Sequence, residues 1–361
     1  MIQGQRDSGK CAEVQVESAF SKRNIRKGAL YFVILTVAGL AVLFFFTNTP
    51  QTLEALLHLD ARFFSIAIAL SALDMFLSAY RYYIFIRKIK PGVTPWLCVR
   101  VNLANVFMGT ITPSQTGGGP AQLYIFYRAG VALAKAMFVL VVNFAFTLIF
   151  FLIAGFFALL FLREHFSQGL IRYFVQYGFL AFLGFFVLFC LALGRPDLLS
   201  RGVHAMAKLL ARAHRNWGQR IFQLNRRIRA ELDSYRASRT HFLRHEKLVL
   251  LSAFGLTILM YLTKFTLAYF LMRGVGVAGG YLHMLAIQTL IMLILYFAPT
   301  PGGSGIAELS IAALMSSLMP NYLLPIFTLL YRFFLLYLPA LFGSFIVLAE
   351  LKSQARSPVL K

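Results

Sequence analysis

The chain has 361 residues, of which 59% are hydrophobic and only 13% are charged. Soluble domains carry roughly 25% charged residues, so this chain has too little polar surface for a water-exposed globule of its size. A net charge of +22 would suggest nucleic-acid binding in a soluble protein, but membrane proteins concentrate Lys and Arg in cytoplasmic loops and use few acids. The composition predicts an all-α polytopic membrane protein with no nucleic-acid partner.

The chain opens with a polar segment, residues 1–27, followed by two apolar stretches of bilayer length, 28–48 and 63–86. The polar segment ends in a basic cluster, and no small-residue cleavage site follows the first apolar stretch. We therefore interpret that stretch as a retained span and not as a signal peptide. Basic residues also follow the second span, so the charge bias predicts a cytoplasmic N-terminus and an outer loop over 49–62.

The next apolar segment, 96–111, is too short to span and runs into a stretch rich in glycine and proline, 112–120. A second short segment then reaches Arg128. Positive charge flanks both ends, so both ends should face the cytoplasm. Two short helices that meet at a break and return to one side form a re-entrant hairpin, which we place at 96–130. Such backbone is tolerated at membrane depth only where protein or a watery cavity satisfies it.

Two more predicted spans, 136–162 and 173–193, complete the first half of the membrane region, 28–193. Residues 194–247 are then strongly basic, and apolar residues recur there every three or four positions. This pattern predicts a cytoplasmic amphipathic segment whose partners are anionic lipid headgroups, at 195–247. Packing of the same apolar face onto the protein's own cytoplasmic surface is the alternative, and both can hold.

The second half of the membrane region is completed by residues 248–350, which hold one span, a second broken stretch over 282–319 and a last span. No positive cluster flanks the second break, at 299–305, so this hairpin should enter from outside. The tail, 351–361, is basic and should be cytoplasmic. The prediction is six full spans plus two re-entrant helical hairpins in a multi-pass protein of the cell (inner) membrane, with both termini cytoplasmic.

The two breaks resemble each other in sequence. The first contains Thr-Pro and then Gly119-Pro-Ala-Gln-Leu, and the second contains Thr-Pro and then Gly305-Ile-Ala-Glu-Leu, with two residues fewer. Each break follows the same order of elements, with three full crossings per unit. Because three is odd, the second unit should be inverted relative to the first, as in secondary transporters whose broken helices meet near the midplane. We predict an inverted-topology repeat.

The breaks are also the candidate functional site. A helix N-terminus preceded by glycines exposes backbone N–H groups and a positive dipole end, which suits a phosphate. Two such sites that open to opposite faces would suit a phospholipid headgroup moving between leaflets. The predicted substrate-binding residues are Ser114, Gly117, Gly118, Gly119, Gln122, Arg128, Gly302, Gly303, Ser304, Gly305 and Glu308.

Two of these side chains have a second interpretation. If Gly119 and Gly305 are N-caps, Gln122 and Glu308 both fall at the third helical position, where they can bond the N–H of the cap. As a charge inside the membrane, Glu308 is otherwise a functional candidate that needs a proton or a cationic partner.

Other polar residues of the membrane region are candidates for pairing. Lys264 or Arg332 could neutralise the glutamate of the second break. Asp74 and Arg81, seven residues apart on one helix face, are interpreted as a local ion pair. Arg128 is either a ligand for a lipid phosphate or a topology anchor at the interface.

The sequence contains no pattern of residues that indicates catalysis. No nucleotide motif is present, and the three cysteines have no metal or disulfide spacing. His241 and His245 are spaced four residues apart, but no acidic cluster accompanies them. We therefore expect no enzyme, no metal site and no cofactor.

Two stretches resemble the signatures of the flippase-like transmembrane family, which is the membrane region of lysylphosphatidylglycerol synthases and also occurs as stand-alone proteins. They are Pro113-Ser114-x-x-Gly117-Gly118 with Tyr127-Arg128-x-Gly130, and Pro301-Gly302-Gly303-x-Gly305-x-x-Glu308. The resemblance covers residues 25 to 350. It implies a lipid flippase or transporter. The aminoacyl-transferring domain of the synthases is absent from this chain, so we do not expect it to make lysylphosphatidylglycerol. The resemblance does not identify which lipid is the substrate.

Two functions of other classes stay open. One is a transporter of a small polar solute with the same architecture. The other is a non-transporting accessory subunit of a lipid-synthesis complex that docks through its basic segment. A homo-oligomer is compatible with either.

Overall fold

The computed structural model describes residues 22–45, 60–162, 170–194 and 218–356. Most of the N-terminal segment, most of the predicted outer loop and residues 195–217 of the basic segment lie outside these ranges. In the ranges that it does describe, the chain is all-helical and contains no β-strand. This agrees with the all-α class predicted from composition.

The α-helices follow one another with short connections. In chain order they are α1 (Lys22–Phe45), α2 (Ala61–Ile89), α3 (Pro95–Ile111), α4 (Gly118–Arg128), α5 (Leu133–Phe161), α6 (Leu170–Gly194), α7 (Gly218–His245), α8 (Lys247–Gly274), α9 (Tyr281–Tyr296), α10 (Ile306–Met315), α11 (Leu324–Arg332) and α12 (Leu338–Arg356). Short 3₁₀ turns lie at Pro113–Gln115, Pro301–Gly303 and Asn321–Leu323, and a π-helical turn at Phe333–Tyr337 joins α11 to α12.

In the described part of the chain, four helices are long and apolar enough to cross a bilayer. They are Ala61–Ile89, Leu133–Phe161, Lys247–Gly274 and the composite helix Asn321–Ser353. They coincide with the second, third, fifth and sixth predicted spans. The first and fourth predicted spans correspond to α1 and α6, helices of 24 and 25 residues, and their crossing of the membrane stays a prediction.

Helices α2 and α8 form the central antiparallel pair. Asp60 fixes one end, because its carboxylate accepts the Arg62 N–H at 2.9 Å and caps α2. Further along, Lys264 Nζ lies 2.6 Å from Asp74 Oδ2. The predicted local pair between Asp74 and Arg81 is therefore wrong, because α8 brings a lysine to the same face of α2.

The described half of the basic segment packs on the protein itself. The ring of Phe242 in α7 lies 5.5 Å from that of Phe85 and 5.1 Å from that of Phe138. Glu231 Oε2 accepts the Ala134 N–H at 2.9 Å, so α7 also satisfies an orphan donor in the first turn of α5. The packing alternative is confirmed for this half, and contact of the segment with lipid headgroups stays a prediction.

Candidate functional site

The first break begins where α3 ends. Thr112 adopts an extended conformation (φ −116°, ψ 143°), and Pro113 starts a 3₁₀ turn. Ser114 and Gln115 then have φ of 50° and 56°, the left-handed region that side chains other than glycine adopt at a cost of about 1–2 kcal/mol each. Thr112 Oγ1 accepts the N–H of Gly117 at 2.8 Å, which closes the turn. The break is a strained, ordered turn.

The second break repeats the first half of this turn. Thr300 is extended (φ −84°, ψ 153°), Pro301 starts a 3₁₀ turn, and Gly302 and Gly303 have φ of 56° and 68°. The two turns thus match residue for residue over four positions, 112–115 and 300–303, without a gap. They diverge one residue before the cap, where ψ is −22° at Thr116 but 143° at Ser304, and again at the cap, where Gly305 has φ of 83° while Gly117 is helical.

This match corrects the alignment expected from sequence. Helix α4 begins at Gly118 with Gly117 as its N-cap, so Gly119 is not a cap. Gln122 then occupies the fifth helical position and cannot fold back onto the cap, so its capping interpretation is wrong. It is buried, and its Nε2 has no hydrogen-bond partner among the described residues.

Glu308 does cap its helix. Helix α10 begins at Ile306 after the N-cap Gly305, and Glu308 Oε2 accepts the Gly305 N–H at 2.6 Å. Since glycine has no side chain, this is half of a capping box. The carboxylate is 0% exposed and lies at the positive end of the helix dipole. The capping interpretation of Glu308 is confirmed. Its buried negative charge still requires a cationic partner.

Arg332, 3% exposed, supplies that cation. Its Nε lies 3.2 Å from Glu308 Oε1, although the pair lacks the angle of a hydrogen bond. Nη1 donates to the carbonyl of Gly302 at 3.0 Å and Nη2 to Ser304 Oγ at 2.9 Å. Ser304 Oγ is also 2.9 Å from Thr36 Oγ1 of α1. One guanidinium therefore neutralises the glutamate and fixes the turn beside it.

A π-helical turn follows Arg332 directly, at Phe333–Tyr337. Residues five apart align along such a turn, and the guanidinium of Arg332 lies 5.6 Å from the centre of the Tyr337 ring. Turns of this kind are rare and occur frequently at functional sites. No residue pattern signals a π-helical turn, so it could not be predicted from the sequence.

Helix α1 packs across both breaks through two glycines. A Cβ at Gly28 would lie 2.2 Å from the carbonyl oxygen of Ile111, and one at Gly39 would lie 3.3 Å from Glu308 Cγ. Eleven residues separate these glycines, about 16 Å along a helix. The breaks also touch each other, because a Cβ at Gly302 would lie 3.2 Å from the carbonyl oxygen of Thr110. Sequence reasoning did not include α1 in the site.

The two breaks differ in access. Ser114 and Thr116 are exposed, whereas Gly302, Gly303 and Ser304 are buried. The three glycines of the first break also differ among themselves. A Cβ at Gly118 would lie 2.2 Å from Asn105 Oδ1, so glycine is required at this position for α4 to pack closely on α3. A Cβ at Gly119 would meet nothing within 4 Å.

Arg128 lies at the far end of α4, away from the breaks. Its Nη1 donates to Glu350 Oε2 at 3.0 Å and to Ser353 Oγ at 2.8 Å. Glu350 also pairs with Arg100 of α3. The Glu350 carboxylate of α12 thus links α3 and α4 at the ends that lie away from the break. This contact gives Arg128 a packing role, and its roles as a topology anchor or as a phosphate ligand both stay predictions.

Comparison with known proteins gives the chain a family. The sequence pattern of the lysylphosphatidylglycerol synthase TM region matches residues 31–343. A UPF0104 membrane protein of Archaeoglobus fulgidus is 21% identical over 322 residues, which are 86% of this chain and 94% of that protein. The chain therefore belongs to the lysylphosphatidylglycerol synthase TM region family and is a multi-pass membrane protein.

Proposed function

We propose that this member of the lysylphosphatidylglycerol synthase TM region family is a carrier, not an enzyme, and moves a phospholipid or related polar lipid between membrane leaflets. The observation that carries the proposal is the contact between two helix breaks, one with an exposed polar turn and the other closed over a buried ion pair. Polar backbone and charge are costly inside a bilayer and are retained there where they line a pathway.

The headgroup is expected to meet the first break. Ser114 and Thr116 are exposed there, and the backbone at Gly119 is open. The free N–H groups at the start of α4 can receive a phosphate. At the second break the helix N-terminus is not open to a phosphate, because the Glu308 carboxylate already occupies the start of α10. The two breaks then have unequal roles: the first binds the headgroup, and the second stays closed and neutral.

The topology completes the proposal. We infer that each helix–break–helix unit is re-entrant and that the two repeats are inverted, with both termini cytoplasmic; the shared turn conformation supports this. Cysteines at Thr94 and Ser316, both exposed, test it in a chain from which Cys11, Cys98 and Cys190 have been removed. An impermeant maleimide should label the first position from the cytoplasmic side and the second from outside. Labelling of both from one side rejects the inverted arrangement.

Transport itself is tested in proteoliposomes. The purified protein is reconstituted with a panel of fluorescent lipids of different headgroups, and dithionite quenching reports their transbilayer movement. Wild type should accelerate the movement of at least one lipid. Gly119→Leu should remove most of that activity, because its side chain fills the open space at the first break. Gly184→Leu is the matched control: it lies on α6, and a Cβ there also meets nothing within 4 Å.

Three outcomes decide between the hypotheses. No acceleration over the whole panel contradicts lipid transport. Solute uptake without lipid movement favours the small-solute transporter instead. Co-purification of a lipid-synthesis enzyme by a protein inactive in both assays favours the accessory subunit.

A further inference from the structure

Arg81 of α2 lies at the packing surface of three helices, away from the breaks. It is 7% exposed. Its Nη1 donates to Thr147 Oγ1 of α5 and to Thr257 Oγ1 of α8, each at 3.1 Å. Both hydrogen bonds leave from this one nitrogen. The other edge of the guanidinium, Nε and Nη2, donates to no residue in the described part of the chain, and Nε is fully buried.

The charge on Arg81 has no counter-charge within the described ranges, where no carboxylate lies within 4 Å of it. The nearest acidic residue on its own helix, Asp74, is paired with Lys264 at 2.6 Å. The other buried arginine, Arg332, has Glu308. An arginine cannot shed its proton to become neutral, and buried charges are normally paired. Threonine hydroxyls offer Arg81 dipoles but no negative charge.

Two tyrosine hydroxyls are further candidate donors near the threonine contacts. Tyr261 follows Thr257 by one turn of α8, and its hydroxyl lies 3.4 Å from that of Tyr296. Tyr296 is the last residue of α9, the helix that leads into the second break.

We propose that Arg81 binds an oxyanion, a phosphate or phosphodiester group, with its free Nε–Nη2 edge. Two parallel donors on a planar guanidinium match two oxygens of a phosphate, and such bidentate pairs are the strong ones. The Tyr261 hydroxyl, one helical turn from Thr257, offers a further donor. The site rests on the proposed function in one respect: the headgroup of a transported lipid would carry the phosphate that Arg81 binds. A free phosphate has the same chemistry.

A purely structural role makes a different prediction. If Arg81 only links α2 to α5 and α8 through the two threonines, its loss weakens the packing of the three helices and changes no ligand preference. The test therefore measures discrimination between ligands and does not rely on stability.

Binding is measured by native mass spectrometry on the full-length protein in detergent. The probes are dioleoylphosphatidylglycerol, dioleoylglycerol with the same chains but no phosphate, and inorganic phosphate as competitor. Wild type should prefer the phosphodiester lipid. Arg81→Gln should weaken its binding by roughly thirtyfold, the usual scale for losing one partner of a buried charge pair, and should remove the preference over dioleoylglycerol. Arg87→Gln, the same change at an exposed position of α2, should do neither.

A lysine variant and competition by phosphate distinguish the proposed site from its alternatives. Arg81→Lys keeps the charge but lacks the parallel donors, so if Arg81→Gln does not fold, a lower affinity for phosphatidylglycerol in the lysine variant supports the site. Unchanged affinity in the folded variants, or equal binding of both lipids by wild type, overturns it. Competition by inorganic phosphate identifies a site for free phosphate, and lack of competition identifies a lipid site. Arg81-dependent binding by a protein that moves no lipid would refute transport and leave the site standing.

Discussion

The buried pair between Glu308 and Arg332 gives the sharpest stability prediction. Glu308→Gln keeps an oxygen for the Gly305 N–H but removes the negative charge, so the Arg332 guanidinium is left with neutral partners only. Breaking a buried pair on one side costs about 3–5 kcal/mol. Arg332→Gln should cost less, because Glu308 keeps a cap and a helix dipole worth up to about 2 kcal/mol.

The free energy of unfolding is measured by titrating SDS into mixed micelles and following helical circular dichroism. The variant with both substitutions should recover part of the loss, because no unpaired charge remains. Glu246→Gln is the matched control: its pair with Lys88, at 3.1 Å, is partly exposed, with side chains 45% (Lys88) and 20% (Glu246) accessible, so that change should cost no more than about 1 kcal/mol. The reasoning is refuted if Glu308→Gln unfolds like the control, or if Arg332→Gln is the more damaging change.

Three further predictions concern the first hairpin. Gly118→Ala should lower the free energy of unfolding by about 1–3 kcal/mol, because its methyl group would overlap Asn105. Gly119→Ala should change it by no more than about 0.5 kcal/mol. Equal losses for the two variants would contradict the packing argument. Gln115→Val should cost about 1–2 kcal/mol at φ 56°, and no change in the unfolding midpoint would show that this turn is unstrained. Glu350→Gln leaves two arginines of the hairpin without their shared carboxylate, so limited proteolysis should become faster around residue 128; an unaltered cleavage rate would argue against an anchor.

The sequence determined the features that depend on neighbouring residues. Apolar runs of about 20 residues identify membrane helices because the bilayer sets their length, and α2, α5 and α8 begin and end within three residues of the predicted bounds. Glycine and proline locate both breaks for the same local reason. The capping role of Glu308 also follows from spacing alone, since a residue three positions after the cap reaches its N–H.

Tertiary structure decided which charges meet. Asp74 has Arg81 on its own helix face, yet Lys264 of α8 is its partner, because contact across two packed helices depends on register and not on spacing within one. The start of α4 was likewise misplaced, since Thr112 Oγ1 closes the turn at Gly117, two residues before the glycine that the sequence repeat favoured. The position of α1 across both breaks and the π turn after Arg332 arise from packing, and neither has a local residue signature.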